Sequence, residues 1–234
     1  MFVSCCYDVY DSPEKVAMYF RLFEPIAHSG LPIIFYTDPS LVSYTVSYPS
    51  TVTVVLADPT ECELYRIAMN YKGELPGDRN PEKDTQKYLA LMNAKMDWMK
   101  KAAEQFPKVE TFFWIDAGIM KLIKNAGPIL TALRTIHQIN YEHIIMPGSW
   151  EFNARFNVNA ANWRFCGTFL VLPRIHLDFF YERCKNVLID FCKNYKLTWE
   201  VNIWTIVEYY CEKKIFQWYY AGHDDGLIMN FFNR

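Results

Sequence analysis

The sequence lacks any C-x-x-C pair among its seven cysteines (Cys5, Cys6, Cys62, Cys166, Cys184, Cys192 and Cys211), and their odd number and scattered positions fit neither a zinc site nor a disulfide framework. Buried free thiols in a reducing compartment are the expectation. No apolar run reaches the ~18 residues of a membrane-spanning helix. The opening Phe2-Val3-Ser4-Cys5-Cys6-Tyr7 reads directly as a strand, leaving no room for a secretory signal. A soluble, cytoplasmic protein is therefore predicted. Basic blocks are absent too: 24 Lys and Arg against 26 Asp and Glu leave a formal charge of −2 spread along the chain, without the footprint of a nucleic-acid binder. With no P-loop and no G-x-G-x-x-G after the first strand, the ATPase and Rossmann dehydrogenase readings lose their phosphate cradles. Repeats, low-complexity segments and linkers are missing, so residues 1–234 are expected to form a single domain.

What is present is an apolar, aromatic chain, 51% hydrophobic and 17% Phe, Trp and Tyr, which favours a globular fold whose clefts suit sugars and bases. Residues 2–7, 31–36 and 51–57 read as strands. Between the first two, Ser12 is placed as an N-cap with Pro13 at the first helical position. Strand, helix, strand, short element, strand is the opening of a parallel, nucleotide-binding type of sheet. Residues 72–81 collect turn formers and read as a loop. One long helix is predicted from Asp84 to Gln105, then a strand at 111–115, a helical stretch over 121–138 and a short strand at 144–147. A loop near the site is expected at 151–162, an apolar strand at 165–172, and helices at 174–195 and from Trp199 to about Cys211.

The central stretch is Thr111-Phe112-Phe113-Trp114-Ile115-Asp116-Ala117-Gly118, a buried strand that delivers one acid to a sheet edge. In open α/β sheets ligands bind at the C-terminal strand ends. Asp116 there is either a holder of a divalent cation on nucleotide phosphates or an ordinary cap of the next helix. Lys95 stands among apolar residues on one helical face, either snorkelling to water or aimed at a phosphate or sugar hydroxyl. His223-Asp224-Asp225 is the most metal-compatible cluster, and equally a routine surface turn. Glu200 is a first-turn helix acid behind a Thr198 cap, or a carboxylate that orients or deprotonates an acceptor beside Trp199. Cys166 has no obvious histidine partner and reads as a packed thiol.

Three blocks carry a resemblance: residues 83–95 followed by Phe113-Trp114-Ile115-Asp116-Ala117-Gly118; Trp163-Arg164-Phe165-Cys166-Gly167-Thr168-Phe169; and residues 198–204 with 218–225. In this order they resemble the bacterial HtrL/YibB family, also called WlaTC/HtrL, of proteins assigned as glycosyltransferases. The resemblance implies a GT-A type fold, a mixed sheet flanked by helices, with a nucleotide sugar, UDP-linked, at the strand ends and Mn²⁺ or Mg²⁺ on its diphosphate. Asp116-Ala117-Gly118 would stand where related enzymes have Asp-x-Asp, with Gly118 replacing the second acid, and His223 where several have a late metal ligand. Ser4, Cys5, Cys6, Tyr7, Tyr36, Thr37 and Asp38 would line the base and ribose pocket, and Lys95 would meet the diphosphate or donor sugar. Asp84, Asn93, Gly167, Thr168 and Trp199 would border sugar and acceptor, with Glu200 and Asp116 as catalytic groups and a glycan hydroxyl as acceptor. The rival readings are a glycan- or partner-binding module of the same fold and a sugar-phosphate nucleotidyltransferase.

Overall fold

The computed structural model describes residues 1–152, 156–211 and 214–234. Strands β1 (Phe2–Cys6), β2 (Ile33–Thr37), β3 (Val52–Leu56), β4 (Thr111–Ile115), β5 (Ile144–Gly148), β6 (Phe169–Pro173) and β7 (Phe216–Tyr220) form one sheet in the order β3-β2-β1-β4-β6-β5-β7. The β3-β2-β1-β4 half is parallel, and β6 runs antiparallel to both of its neighbours, β4 and β5. The aromatic segment 216–220, which has no clear strand signal in the sequence, closes the far edge parallel to β5.

Side chains alternate along each central strand, and that alternation builds two cores. Val3, Ile34, Phe112, Trp114, Leu170 and Leu172 face one layer, while Phe2, Ile33, Phe113, Ile115, Phe169 and Val171 face the other. The first layer is covered by α2 (Glu63–Met69), α3 (Gln86–Asn93), α4 (Lys95–Gln105), α6 (Arg174–Asn194) and α7 (Glu200–Tyr209). The second is covered by α1 (Pro13–Ala27), α5 (Ala126–His137) and the short α8 (Gly226–Met229). Cys5, Cys6, Cys62, Cys166 and Cys184 are buried free thiols within these layers, as the sequence predicts. No helix among the described residues is long and apolar enough to cross a membrane.

The Ser12 cap is present, its Oγ accepting from the Lys15 amide at 3.4 Å, and Pro13 opens α1. The single helix expected over 84–105 is two helices that meet at Ala94. Asn93 Nδ2 donates to its own-helix carbonyl at Leu89 and to the Thr198 carbonyl, both at 2.9 Å. A polar side chain back-bonding to its own turn while tied to another segment bends the helix there. The strand expected over 165–172 starts only at Phe169, residues 165–168 being a turn that brings Gly167 to the site. Helix α7 has Trp199, not Thr198, at its N-cap position, because Thr198 Oγ1 instead accepts from Asn202 Nδ2 at 2.6 Å. Helix α2 lacks a recognisable sequence signal and a cap of its own. Its first amides, Glu63 and Leu64, donate at 3.1 and 3.0 Å to Asp97, a residue of α4.

Asp97 is buried, and desolvation raises its carboxyl to about 6 against the lowering effect of Tyr181 and the amides of Leu64, Glu63 and Tyr65. In the folded chain it keeps its proton up to about pH 6, whereas an unfolded Asp releases it near about pH 4. The stability from this group is thus fully present below about pH 4 and lost as pH rises through about 6. Urea titrations are expected to show unfolding free energy falling less steeply over that window in Asp97→Asn than in the wild type; equal slopes would refute the assignment.

Candidate active site

Strand order reverses between β1 and β4, and open α/β sheets bind ligands at such a switch point, beyond the C-terminal strand ends. A cleft of about 280 Å³ lies there, lined by Cys5, Cys6 and Tyr7 from the end of β1 and by Trp114, Asp116, Ala117 and Gly118 from the end of β4. Its walls are aromatic and aliphatic, with Tyr10, Tyr19, Tyr88, Leu91 and Met92, and Thr168 borders it from the turn before β6. Tyr10 stacks on Tyr88 with ring centres 6.1 Å apart. Among the described residues, the charged ones lining it are Asp116, Lys83 and Lys121.

Asp116 is fixed on two sides. The Trp114 indole N–H donates to Oδ1 at 2.6 Å, and the Lys95 ammonium lies 3.0 Å from the same oxygen. The carboxylate remains 22% exposed. Lys95 itself is 1% exposed, so it neither snorkels to water nor projects into the cleft. Its ammonium donates to the Gly167 carbonyl at 2.7 Å and to Glu200 Oε1 at 2.8 Å as well as to Asp116, using all three of its donors. Burial works against that charge, but Asp116 and Glu200 outweigh it and hold the ammonium above its ordinary value. Glu200 is the first residue of α7, where the helix dipole favours an anion. A Cβ on Gly167 would come 2.2 Å from Glu200 Oε1, which is why a glycine stands in this turn.

The structure divides the remaining candidates. Cys5, Cys6, Tyr7, Ala117, Gly118 and Thr168 line the cleft with Asp116. Ser4 and Tyr36 are buried beside the sheet and do not line it, and the Thr37 hydroxyl donates to the Cys6 carbonyl at 2.9 Å, tying β2 to β1. Asp38 caps the next turn by accepting from the Ser40 amide at 2.8 Å and lines a separate, acidic depression. Asp84 accepts from the Asn80 amide, and Asn93 ties α3 to the Thr198 carbonyl; neither lines the cleft. Glu200 and Trp199 are buried behind it, so Glu200 reaches the site through Lys95. The described part of the 151–162 loop does not line the cleft either; Asn159 holds the 72–81 loop and Asn162 joins α7 through Asn202, while residues 153–155 lie outside the described residues. Lys83, Lys121, Tyr10, Tyr19 and Tyr88 also line the cleft; Lys83 and Tyr88 lie within the first resemblance block, and Lys121 has no sequence signal of its own.

His223 does not line the cleft. It packs edge-on against Trp163 with ring centres 4.5 Å apart, and its Nε2 is 3.9 Å from Cys166 Sγ. Cys166 thus has a histidine neighbour that the sequence did not reveal. Burial nevertheless pushes the thiol up to about 11, and burial first, then Lys83, lowers the imidazole, so this pair is not an activated nucleophile. The donor set does not fit a preformed divalent-cation site. Among the described residues no three His, Cys, Asp or Glu side chains gather as one, and Asp116 Oδ1 is already engaged by an ammonium and an indole. A side chain at Gly118 would start 2.7 Å from the Tyr19 ring, so one there requires that ring to move aside.

No protein-family model and no curated protein matches the chain. Solved structures similar to it include the following two. One is a glycosyltransferase involved in the glycosylation of the major capsid of PBCV-1, at 12% identity over 93% of this chain and 80% of that one, with a TM-score of 0.44. The other is an active-site mutant of LgtC, at 9% identity over 93% of this chain and 71% of that one, with a TM-score of 0.51. The likeness to LgtC is one of fold, and the fold is of the GT-A type.

Replacing Lys95 by Met leaves the buried Glu200 and the part-exposed Asp116 without their counter-charge, and breaking a buried pair such as Lys95–Glu200 costs about 3–5 kcal/mol. Urea denaturation is expected to show that loss, and a Lys95→Met/Glu200→Gln double variant to recover part of it. Strict additivity of the two substitutions would mean that the residues are not coupled.

Proposed function

We propose that the protein is a glycosyltransferase that moves a sugar from a nucleoside diphosphate donor, UDP-linked, to a hydroxyl of a glycan acceptor. The observation that carries this reading is the placement of Asp116. It is a single immobilised, part-exposed carboxylate at the floor of an aromatic-walled cleft, at the switch point of a GT-A type sheet. An ionised carboxylate accepts hydrogen bonds only, which suits hydroxyls of a ribose or a donor sugar and not a phosphate. Flat aromatic side chains such as Tyr10, Tyr19 and Tyr88 pack against the C–H faces of sugars and against bases. Asp116 is pre-oriented by Trp114 and Lys95, so no reorganisation is required when the glycosidic bond breaks. Glu200 fixes Lys95, and through it Asp116, and acts as a positioning residue. No step of this chemistry is routed through a divalent cation, because the donor set around Asp116 does not fit one.

A panel of nucleotide sugars followed by thermal shift and donor hydrolysis tests the reading. One UDP-sugar is expected to raise the melting temperature and to be hydrolysed slowly, since a ligand selective for the native state stabilises it. Asp116→Asn is expected to lower hydrolysis by about 10²-fold or more, the loss seen when one preorganised electrostatic group is removed. Stabilisation by glycans with no response to any nucleotide sugar would replace the transferase by a glycan-binding module.

A further inference from the structure

We propose that this cleft binds the diphosphate of its donor through the ammonium groups of Lys83 and Lys121, which stand in for a protein-held divalent cation. The inference rests on the donor-site reading above and deepens it.

Four observations converge. The cleft has an excess of positive charge in a chain whose formal charge is −2: two exposed lysines and one aspartate line it, and that aspartate shares the Lys95 ammonium behind it with Glu200. Lys83 and Lys121 reach it from different segments, the loop before α3 and the turn after β4, and neither forms an ion pair with another described residue. The Thr168 hydroxyl, also in the lining, is buried and has no hydrogen-bond partner among the described residues, which leaves a donor for a phosphate or sugar oxygen. Finally, Gly118 presents no side chain to the cleft beside Asp116, and the Tyr19 ring lies against it, so Asp116 is the one acid among the described lining residues.

The neighbouring depression sharpens the orientation. It is lined by Asp8, Asp11, Asp38 and Asp58 with one cation, Lys87, and shares Tyr7, Val9 and Leu91 with the cleft. Carboxylates in that number repel a phosphate. The diphosphate is therefore directed to the lysine side and the uncharged part of the nucleotide away from it. Lysine ammonium groups are compact charges on flexible stems, suited to a phosphate whose negative charge grows as the bond to the sugar breaks.

Calorimetric titration with UDP and with uridine, each in EDTA and in Mn²⁺, tests this on the intact chain. UDP is expected to bind in EDTA within about threefold of its affinity in Mn²⁺. Lys83→Ala and Lys121→Ala are each expected to weaken UDP about tenfold, the size of one charge-assisted contact, and to leave uridine unchanged. Both lysines are exposed, so the variants should keep the wild-type melting temperature without ligand. If UDP binds only with Mn²⁺, or binds the lysine variants as it binds the wild type, the lysine assignment is overturned while the donor site stands. If UDP binds under neither condition, the donor-site reading falls and this inference falls with it.

Discussion

One buried ammonium holds the site together. Lys95 Nζ is surrounded by the Gly167 carbonyl, Glu200 and Asp116, and the Trp114 ring centre lies 5.6 Å away. Removing a lone ammonium from water is very costly, so the arrangement persists only because every donor is matched and two anions are present. Four segments meet there: the start of α4, the end of β4, the turn before β6 and the start of α7. That meeting joins the parallel half of the sheet to the half in which β6 reverses direction. It also sets the direction of Asp116, the one acid among the described residues of the cleft.

The outward consequence is a separation of charge by position. Among the described residues two lysines and one acid, itself paired with Lys95 from inside the protein, line the cleft, whereas the adjoining depression is acidic. Two neighbouring hollows of opposite character, sharing an apolar border, suit a ligand with one anionic and one neutral, hydrogen-bonding part. The same logic explains both glycines of the site. Gly167 allows Glu200 to approach Lys95, and Gly118 makes room for Tyr19 against the cleft floor.

Where the sequence misled, a long-range tie had overridden a local preference. The period across 84–105 is continuous and reads as one helix, but the Asn93 bond to Thr198 breaks it, and that contact spans 105 residues. Thr198 looks like a helix cap until Asn202 takes its hydroxyl. Cys166 and His223 are 57 residues apart in the chain and meet only because β7 pairs with β5. Lys95 illustrates the difficulty best. Its place on an apolar face was visible, and the readings of snorkelling stem or phosphate contact were both reasonable, yet its partners Glu200 and Gly167 come from the other half of the chain.

The sequence by itself determined the strands other than β7, most of the helices, the α/β class and the acid at the end of the central strand. Those features follow from alternation, helical period and turn chemistry, all of which act over a few residues. Only the tertiary structure decided that β6 is antiparallel, that Glu200 lies behind the cleft, that His223 faces Cys166, and that Lys83 and Lys121 share a cleft with Asp116. Each of these depends on which segments come together across the sheet. Burial and charge compensation select that arrangement for the chain as a whole, and no local pattern encodes it.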